Sequence, residues 1–357
     1  MTAADVLLVT RQFAMRWGGA EHSIAEVLDE LTLARPGLRV TVTDGGFDPP
    51  DRLRPLPLVA LARERGRLRA AIGRAPPPRL VLAQSMVAPT AINALPEPVP
   101  VAYFLRDVAY WDQWPNNETG ARRLAKAVYR LALTPFVGLF ARENRRAMKR
   151  ADLLVANSSF MAERIRRACS RESLVVFPRT PVAAAPLRAG DVVGMAGDGA
   201  DKGGQIVRAL ARRYPEVRFR IHSRAAALDN VPPNVAAAPW EREPERLYQG
   251  LRLMLVPSQV AEAYGRVALE AQGFGVPVLV SGVGGLPENV PGSLWRVADY
   301  RSPEAWIHGF EPAYRAAPEA REAALGFARR RRVEADRQHR ELIERLAGLI
   351  DHGRAGG

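Results

Sequence analysis

The sequence predicts two α/β domains of the doubly wound kind, facing across a cleft and joined by a proline- and alanine-rich connector. Three observations carry that expectation. The chain has 357 residues, more than one compact core usually holds, so two domains of roughly 150–200 residues are expected. Apolar runs of strand length alternate with longer helical patterns in each half. These runs are continuous in Val, Leu and Ile, which marks strands buried on both faces, as in a parallel sheet wrapped by helices.

In chain order, Val6–Thr10 is the first strand, followed by a glycine loop and a helical pattern from about Ala20 to Leu33. A strand at Leu38–Thr43, a helical pattern around Leu58–Ile72 and strands at Arg79–Gln84, Val99–Leu105 and Leu153–Ala156 complete the first half. Between the last two lies a long basic helical stretch. The segment 177–190, FPRTPVAAAPLRAG, has no periodicity and reads as a linker. The alternation then restarts with strands at Val192–Ala196, Val217–His222, Leu253–Pro257 and Pro277–Ser281. Helices are expected from Gly203, near Pro244–Gly250 and from Arg266, and a terminal helix from about Arg331 to Ile350. The expected division is therefore a first domain over 1–183, a second over 184–335, and a terminal crossover helix and tail over 336–357.

Composition excludes several classes. A hydrophobic share of 47% with 25% charged residues is that of a globular chain, not of a disordered one or a coiled coil. One cysteine, Cys169, leaves no intramolecular disulfide and no thiolate zinc cluster. No run approaches the length of about 18 apolar residues that spans a membrane, and the start reads as a strand, not a signal peptide. The expected location is cytoplasmic. The unusual number is a net charge of +13, which points to a polyanion among the partners.

The segment Val256–Val290 carries the most chemistry. A buried strand ends in a loop holding Glu262 and Gly265, and a helix starts near Arg266 with Glu270 about one turn in. A strand–loop–helix unit aims unpaired backbone N–H groups past the strand's carboxyl end, which suits a phosphate. Carboxylates beside such a site accept hydrogen bonds from sugar hydroxyls.

The string E-A-Y-G-R-V-A-L-E-A, followed by G-V-P-V and G-G-L-P-E, resembles the retaining glycosyltransferases of family 4, which have the GT-B fold. Glu262, Tyr264, Gly265, Glu270 and Ala271 match that family's paired-glutamate pattern; Gly284, Gly285 and Glu288 match its next loop. The resemblance implies catalytic roles for Glu262 and Lys202, the latter in an Asp201–Gly203 turn that meets the leaving diphosphate. Donor-binding roles follow for Gly18, Gly19, Lys202, Tyr264, Gly265, Arg266, Val267 and Glu270, with Glu270 on the ribose. Gly18 and Gly19 let the backbone approach a phosphate closely. Ala156–Ile165 resembles the last strand-to-helix turn of the family's first domain, with Ser158 or Ser159 capping the helix.

Two departures stand out. The family's diphosphate arginine after the second domain's first strand is missing, because that strand end reads GMAGDGADKGG; Arg266 is the candidate replacement. The histidine that many relatives carry after the strand at Val99–Leu105 is replaced by Arg106 and Asp107, which are candidate acceptor or sugar contacts.

The function implied is transfer of a sugar from a nucleotide-sugar donor, UDP- or GDP-linked first among the choices, to a hydroxyl acceptor with retention of configuration. The leaving diphosphate takes the acceptor proton, with no covalent intermediate. No metal and no cofactor beyond the donor is expected. The alternatives are a catalytically silent nucleotide-sugar-binding protein and a sugar-nucleotide epimerase of the same fold. Much of the charge falls elsewhere: Arg122–Arg150 alone carries +8, interleaved with apolar residues. Such a segment suits an anionic membrane surface and a membrane-proximal or lipid-linked acceptor. Nucleic acid is not an expected partner, for want of any recognition motif and with 7% aromatic residues. The arginines at 329–332 read as solvated charges.

Overall fold

The structure, a computed structural model, describes residues 4–10, 19–43, 66–70, 72, 77–84, 87–96, 98–107, 138–197, 199, 201–223, 231–241 and 243–352. The chain forms two compact units. One takes the described residues up to Phe177 together with those from Arg337 on; the other takes Pro178–Asp336.

The first unit is built on a six-stranded parallel sheet of β1 (Val6–Val9), β2 (Val40–Thr43), β3 (Leu80–Gln84), β4 (Val101–Leu105), β5 (Leu153–Ala156) and β6 (Leu174–Val175), in the order β2-β1-β3-β4-β5-β6. Every residue of β3, β4 and β5 is buried, as continuous apolar runs require. The Gly19–Ala34 helix packs Ile24, Leu28 and Leu31 against Leu8, Leu82 and Phe104 of the sheet. Leu342, Leu346 and Ile350 of the terminal helix complete the same core.

The second unit repeats the plan with β7 (Val192–Ala196), β8 (Phe219–Ser223), β9 (Val235–Pro239), β10 (Leu251–Val256), β11 (Val278–Ser281) and β12 (Arg296–Val297), in the order β12-β11-β10-β7-β8-β9. All pairings are parallel. The chain leaves β7 toward β8 and β9, then returns to lay β10 on the other side of β7. The crevice beyond the carboxyl ends of β7 and β10 is thus a topological switch point, where open α/β sheets bind ligands.

Most predicted strands are present with ends shifted by one or two residues, and the helical pattern expected around Leu58–Ile72 lies largely outside the described residues. The segment read as a linker is packed: Ala183 N–H donates to Gly273 O at 2.8 Å and Leu187 N–H to Phe274 O at 3.0 Å. The terminal helix starts at Arg321 and runs to His352. Three of the four arginines at 329–332 are bound to the chain, contrary to the solvated reading, while Arg330 is exposed. Arg329 donates to Ala184 O at 2.5 Å, Arg331 to Glu288 O at 2.5 Å and Arg332 to Thr180 O at 3.2 Å. No helix among the described residues is long and apolar enough to cross a membrane.

Candidate active site in the second unit

After β7 the chain makes a turn at 201–203 and enters the Gly204–Arg213 helix. That turn is tied to the segment after β10: Gln259 N–H donates to Asp201 O at 2.7 Å, and Ser258 Oγ to the same oxygen at 3.4 Å. The two chain ends at the switch point are therefore one structure. On it, Lys202 Nζ lies 2.8 Å from Glu262 Oε1, with the two side chains 43% and 19% exposed. Burial alone would lower the Lys202 pKa, but the charge and hydrogen bond of Glu262, with Asp201 behind them, raise it above the ordinary 10.5.

Glu262 is held by its backbone. Gly285 N–H donates to Glu262 O at 2.8 Å, and a Cβ placed on Gly284 would meet that oxygen at 2.4 Å. Gly284 has φ +66°, so any other residue there is both strained and in collision with Glu262. Gly265, at φ +86°, precedes the Arg266–Gly273 helix, and no side chain caps that helix. Of its first-turn N–H groups, that of Ala268 donates to Gly265 O at 3.1 Å, and those ahead of it leave a positive helix end of the kind that attracts anions.

Glu270, 18% exposed, has both carboxylate oxygens engaged. Arg266 Nε donates to Oε1 at 3.2 Å, and the Tyr248 hydroxyl to Oε2 at 3.2 Å. Arg266, the candidate diphosphate cation, is thus tied to Glu270, one turn further along its own helix. Val267 presents its carbonyl 3.4 Å from the Tyr248 hydroxyl. Tyr264 is buried, and its carbonyl accepts from Asn289 Nδ2 at 2.5 Å. Burial pushes its hydroxyl pKa above the ordinary range.

The structure thus brings together Lys202, Glu262 and Gly265, and separately Arg266, Val267 and Glu270. Tyr248 is the member sequence reasoning missed. Its only sequence signal is a Tyr just ahead of the β10 run.

In the first unit, Gly19 opens the helix after β1, and Gly18 lies outside the described residues. Arg106 and Asp107 directly follow β4, with the Arg106 guanidinium 4.7 Å from the Phe104 ring centroid. Ser158 is the helix cap, accepting from Met161 N–H at 3.0 Å. The carboxyl edge of this sheet also holds Thr10, Gln84 and Asn157, none singled out from the sequence. Gln84 Nε2 donates to Thr10 Oγ1 at 2.9 Å, bridging the ends of β3 and β1, and Asn157 Nδ2 to Arg106 O at 3.5 Å. Among the described residues no group of three His, Cys, Asp or Glu side chains is arranged to hold a metal ion.

A second surface comes from the basic stretch, whose described part, 138–150, is helical. Asn144, Ala147 and Met148 face inward, with Tyr103 OH donating to Asn144 Oδ1 at 2.8 Å. Arg142, Arg145, Arg146 and Lys149 are exposed on the opposite face, at helical spacing, beside Leu139 at 57% exposure. Among the described residues none of these four cations has a carboxylate partner, whereas Arg166, Arg218, Arg315 and Arg345 each have one.

Two parallel sheets with these helices make the fold GT-B. HepE from Anabaena, solved with UDP and glucose, superposes with a TM-score of 0.61 at 16% identity, covering 98% of this chain and 99% of that one. Sucrose-phosphate synthase from Thermosynechococcus elongatus gives 0.71 at 16% identity, covering 98% and 100%. Residues 195–313, which contain Lys202, Glu262 and Glu270, match the family model described as Glycosyl transferases group 1. In sequence, the chain is 37% identical over 95 residues to the D-inositol 3-phosphate glycosyltransferase of Corynebacterium glutamicum (strain R), covering 26% of this chain. It is 33% identical over 167 residues to that of Mycobacterium sp. (strain KMS), covering 40% of this chain. The matched stretches span 21% and 34% of those relatives' lengths.

Proposed function

We propose that the protein transfers a sugar from a nucleotide-sugar donor to a hydroxyl acceptor with retention of configuration. The observation that carries this reading is the Lys202–Glu262 pair at the switch point, beside an uncapped helix N-terminus. The group 1 domain and the UDP and glucose bound by HepE support it.

In this reading the donor diphosphate lies against the N–H groups that open the Arg266–Gly273 helix. Lys202 neutralises the charge that grows on it as the glycosidic bond breaks. Arg266, at the same helix start, is the second cation in place of the arginine absent near Met195. Glu262 accepts from hydroxyls of the transferred sugar and Glu270 from the ribose. The departing phosphate oxygen takes the acceptor's proton, so no protein base is needed, and no metal or further cofactor enters the scheme. A UDP- or GDP-sugar is the expected donor. Arg106 and Asp107 are the proposed acceptor or sugar contacts of the first unit.

The acceptor is proposed to be a membrane-proximal or lipid-linked glycan. The exposed basic face of Arg142, Arg145, Arg146 and Lys149 then holds the enzyme peripherally on the inner, anionic side of the membrane. The transfer reading is tested by Glu262→Ala, which should abolish both sugar transfer and donor hydrolysis. A protein that binds the donor with no turnover of either kind would instead be a silent binder.

A further inference from the structure

Tyr248 ends the short Pro244–Tyr248 helix just before β10, and its side chain is fully buried. Its ring is stacked on Phe274, with centroids 5.6 Å apart, and Phe274 terminates the helix that carries Glu270. The ring is therefore a fixed post beside that helix. Its hydroxyl has two acceptors within reach, Glu270 Oε2 at 3.2 Å and Val267 O at 3.4 Å, and only one proton to donate. The ionised carboxylate is the stronger acceptor. Burial, then the Glu270 charge, raise the hydroxyl's pKa well above 10, so it remains a donor at neutral pH. Arg266 holds the other carboxylate oxygen at 3.2 Å. A glutamate with three rotatable bonds is thereby pinned from two sides. Each oxygen keeps acceptor capacity, since an ionised carboxylate offers about four lone-pair sites.

We propose that Tyr248 is a positioning residue: its hydroxyl orients the Glu270 carboxylate to accept the ribose hydroxyls of the nucleotide donor. The assignment rests on the reading of Glu270 as the ribose contact. Tyr248 touches no donor atom in this scheme and acts through Glu270.

Tyr248→Phe keeps the ring stack and removes only the hydroxyl. The probe is whichever of UDP, GDP and ADP raises the melting temperature of the wild-type protein most, compared with its 2′-deoxy counterpart by titration calorimetry. Wild-type protein should bind the ribonucleotide about 10-fold tighter, the worth of one hydrogen bond to a charged group. Tyr248→Phe should weaken the ribonucleotide by about 5–10-fold and leave the deoxynucleotide within about twofold. In a Glu270→Gln background the same substitution should add nothing. Tyr248→Leu, which also lacks the hydroxyl, carries the comparison should the Phe variant not fold. Equal weakening of both nucleotides, an unchanged ratio, or additivity with Glu270→Gln would each overturn the assignment of Tyr248 while leaving the donor reading standing. Absence of any binding by the wild-type protein would overturn the donor reading, and Tyr248 with it.

Discussion

Lys202 Nζ and Glu262 Oε1 are 2.8 Å apart, although sixty residues of chain separate them. One follows β7, the other β10, and the two strands are neighbours in the sheet. The pair is a partly exposed one, so its own contribution to stability is under about 1 kcal/mol after solvent screening. Its importance lies in placing a cation and a carboxylate beside the same helix N-terminus. Lys202→Ala should accordingly lower kcat by about 10²–10³-fold while moving the melting temperature little. Parallel kinetics and calorimetry check this.

The same pair sets a pH dependence. The folded-state pKa of Lys202 lies above its ordinary 10.5, so the stabilisation is complete below the unfolded value and is lost as pH rises through the folded one. The small stability difference between wild type and Lys202→Met should stay constant from about pH 6 to 9 and shrink only above about 10.4. Denaturation curves across that range read it directly.

Gly284→Ala should be more damaging than its size suggests. The new Cβ would stand 2.4 Å from Glu262 O, at a backbone φ of +66°. Together these should cost about 1–3 kcal/mol and displace Glu262. A melting temperature lower by several degrees and a large fall in kcat are expected.

Asn289→Ala tests what stands behind the site. Asn289 is fully buried, donates to Tyr264 O and accepts from Gln272 Nε2, both at 2.5 Å. Removing the side chain leaves the Tyr264 carbonyl without that bond, at a cost of about 1–3 kcal/mol. Urea denaturation should show the loss, with the slope of the transition unchanged.

The basic face has its own prediction. Wild-type protein should float with vesicles containing phosphatidylserine at low salt and be released at high salt. Replacing Arg142, Arg145, Arg146 and Lys149 by Gln should remove about 1 kcal/mol of membrane attraction each and abolish flotation. Wild-type protein that fails to float even at low salt would contradict the proposed location.

What was legible in the sequence follows from the range of the forces involved. Continuous apolar runs such as those of β3, β4 and β5 announce buried parallel strands, because every side chain in them must leave water. The two-residue strands β6 and β12 are too short for any pattern, and β9 reads as an edge, with exposed Ala236 and Ala237. Glu262 and Glu270 stand out in the sequence through the string E-A-Y-G-R-V-A-L-E-A and its resemblance to a glycosyltransferase pattern, not through their spacing alone. The contacts that orient them do not stand out there. Tyr248 reaches Glu270 only because β10 brings the preceding helix against the Arg266 helix. In the same way, Arg331 finds Glu288 O from 43 residues away. A local pattern shows charge; it does not show the carbonyl that awaits it.

The central claim is that Lys202 and Glu262 hold a sugar nucleotide. Thermal-shift titration of wild-type protein and of Glu262→Gln with UDP-, GDP-, ADP- and dTDP-sugars tests it most directly. One sugar nucleotide should raise the wild-type melting temperature beyond its own nucleoside diphosphate, by about 2.7 kcal/mol of added stability at a hundred times its Kd. The excess over the diphosphate should vanish in Glu262→Gln. No shift with any of the four, or an excess that survives in Glu262→Gln, would contradict the account.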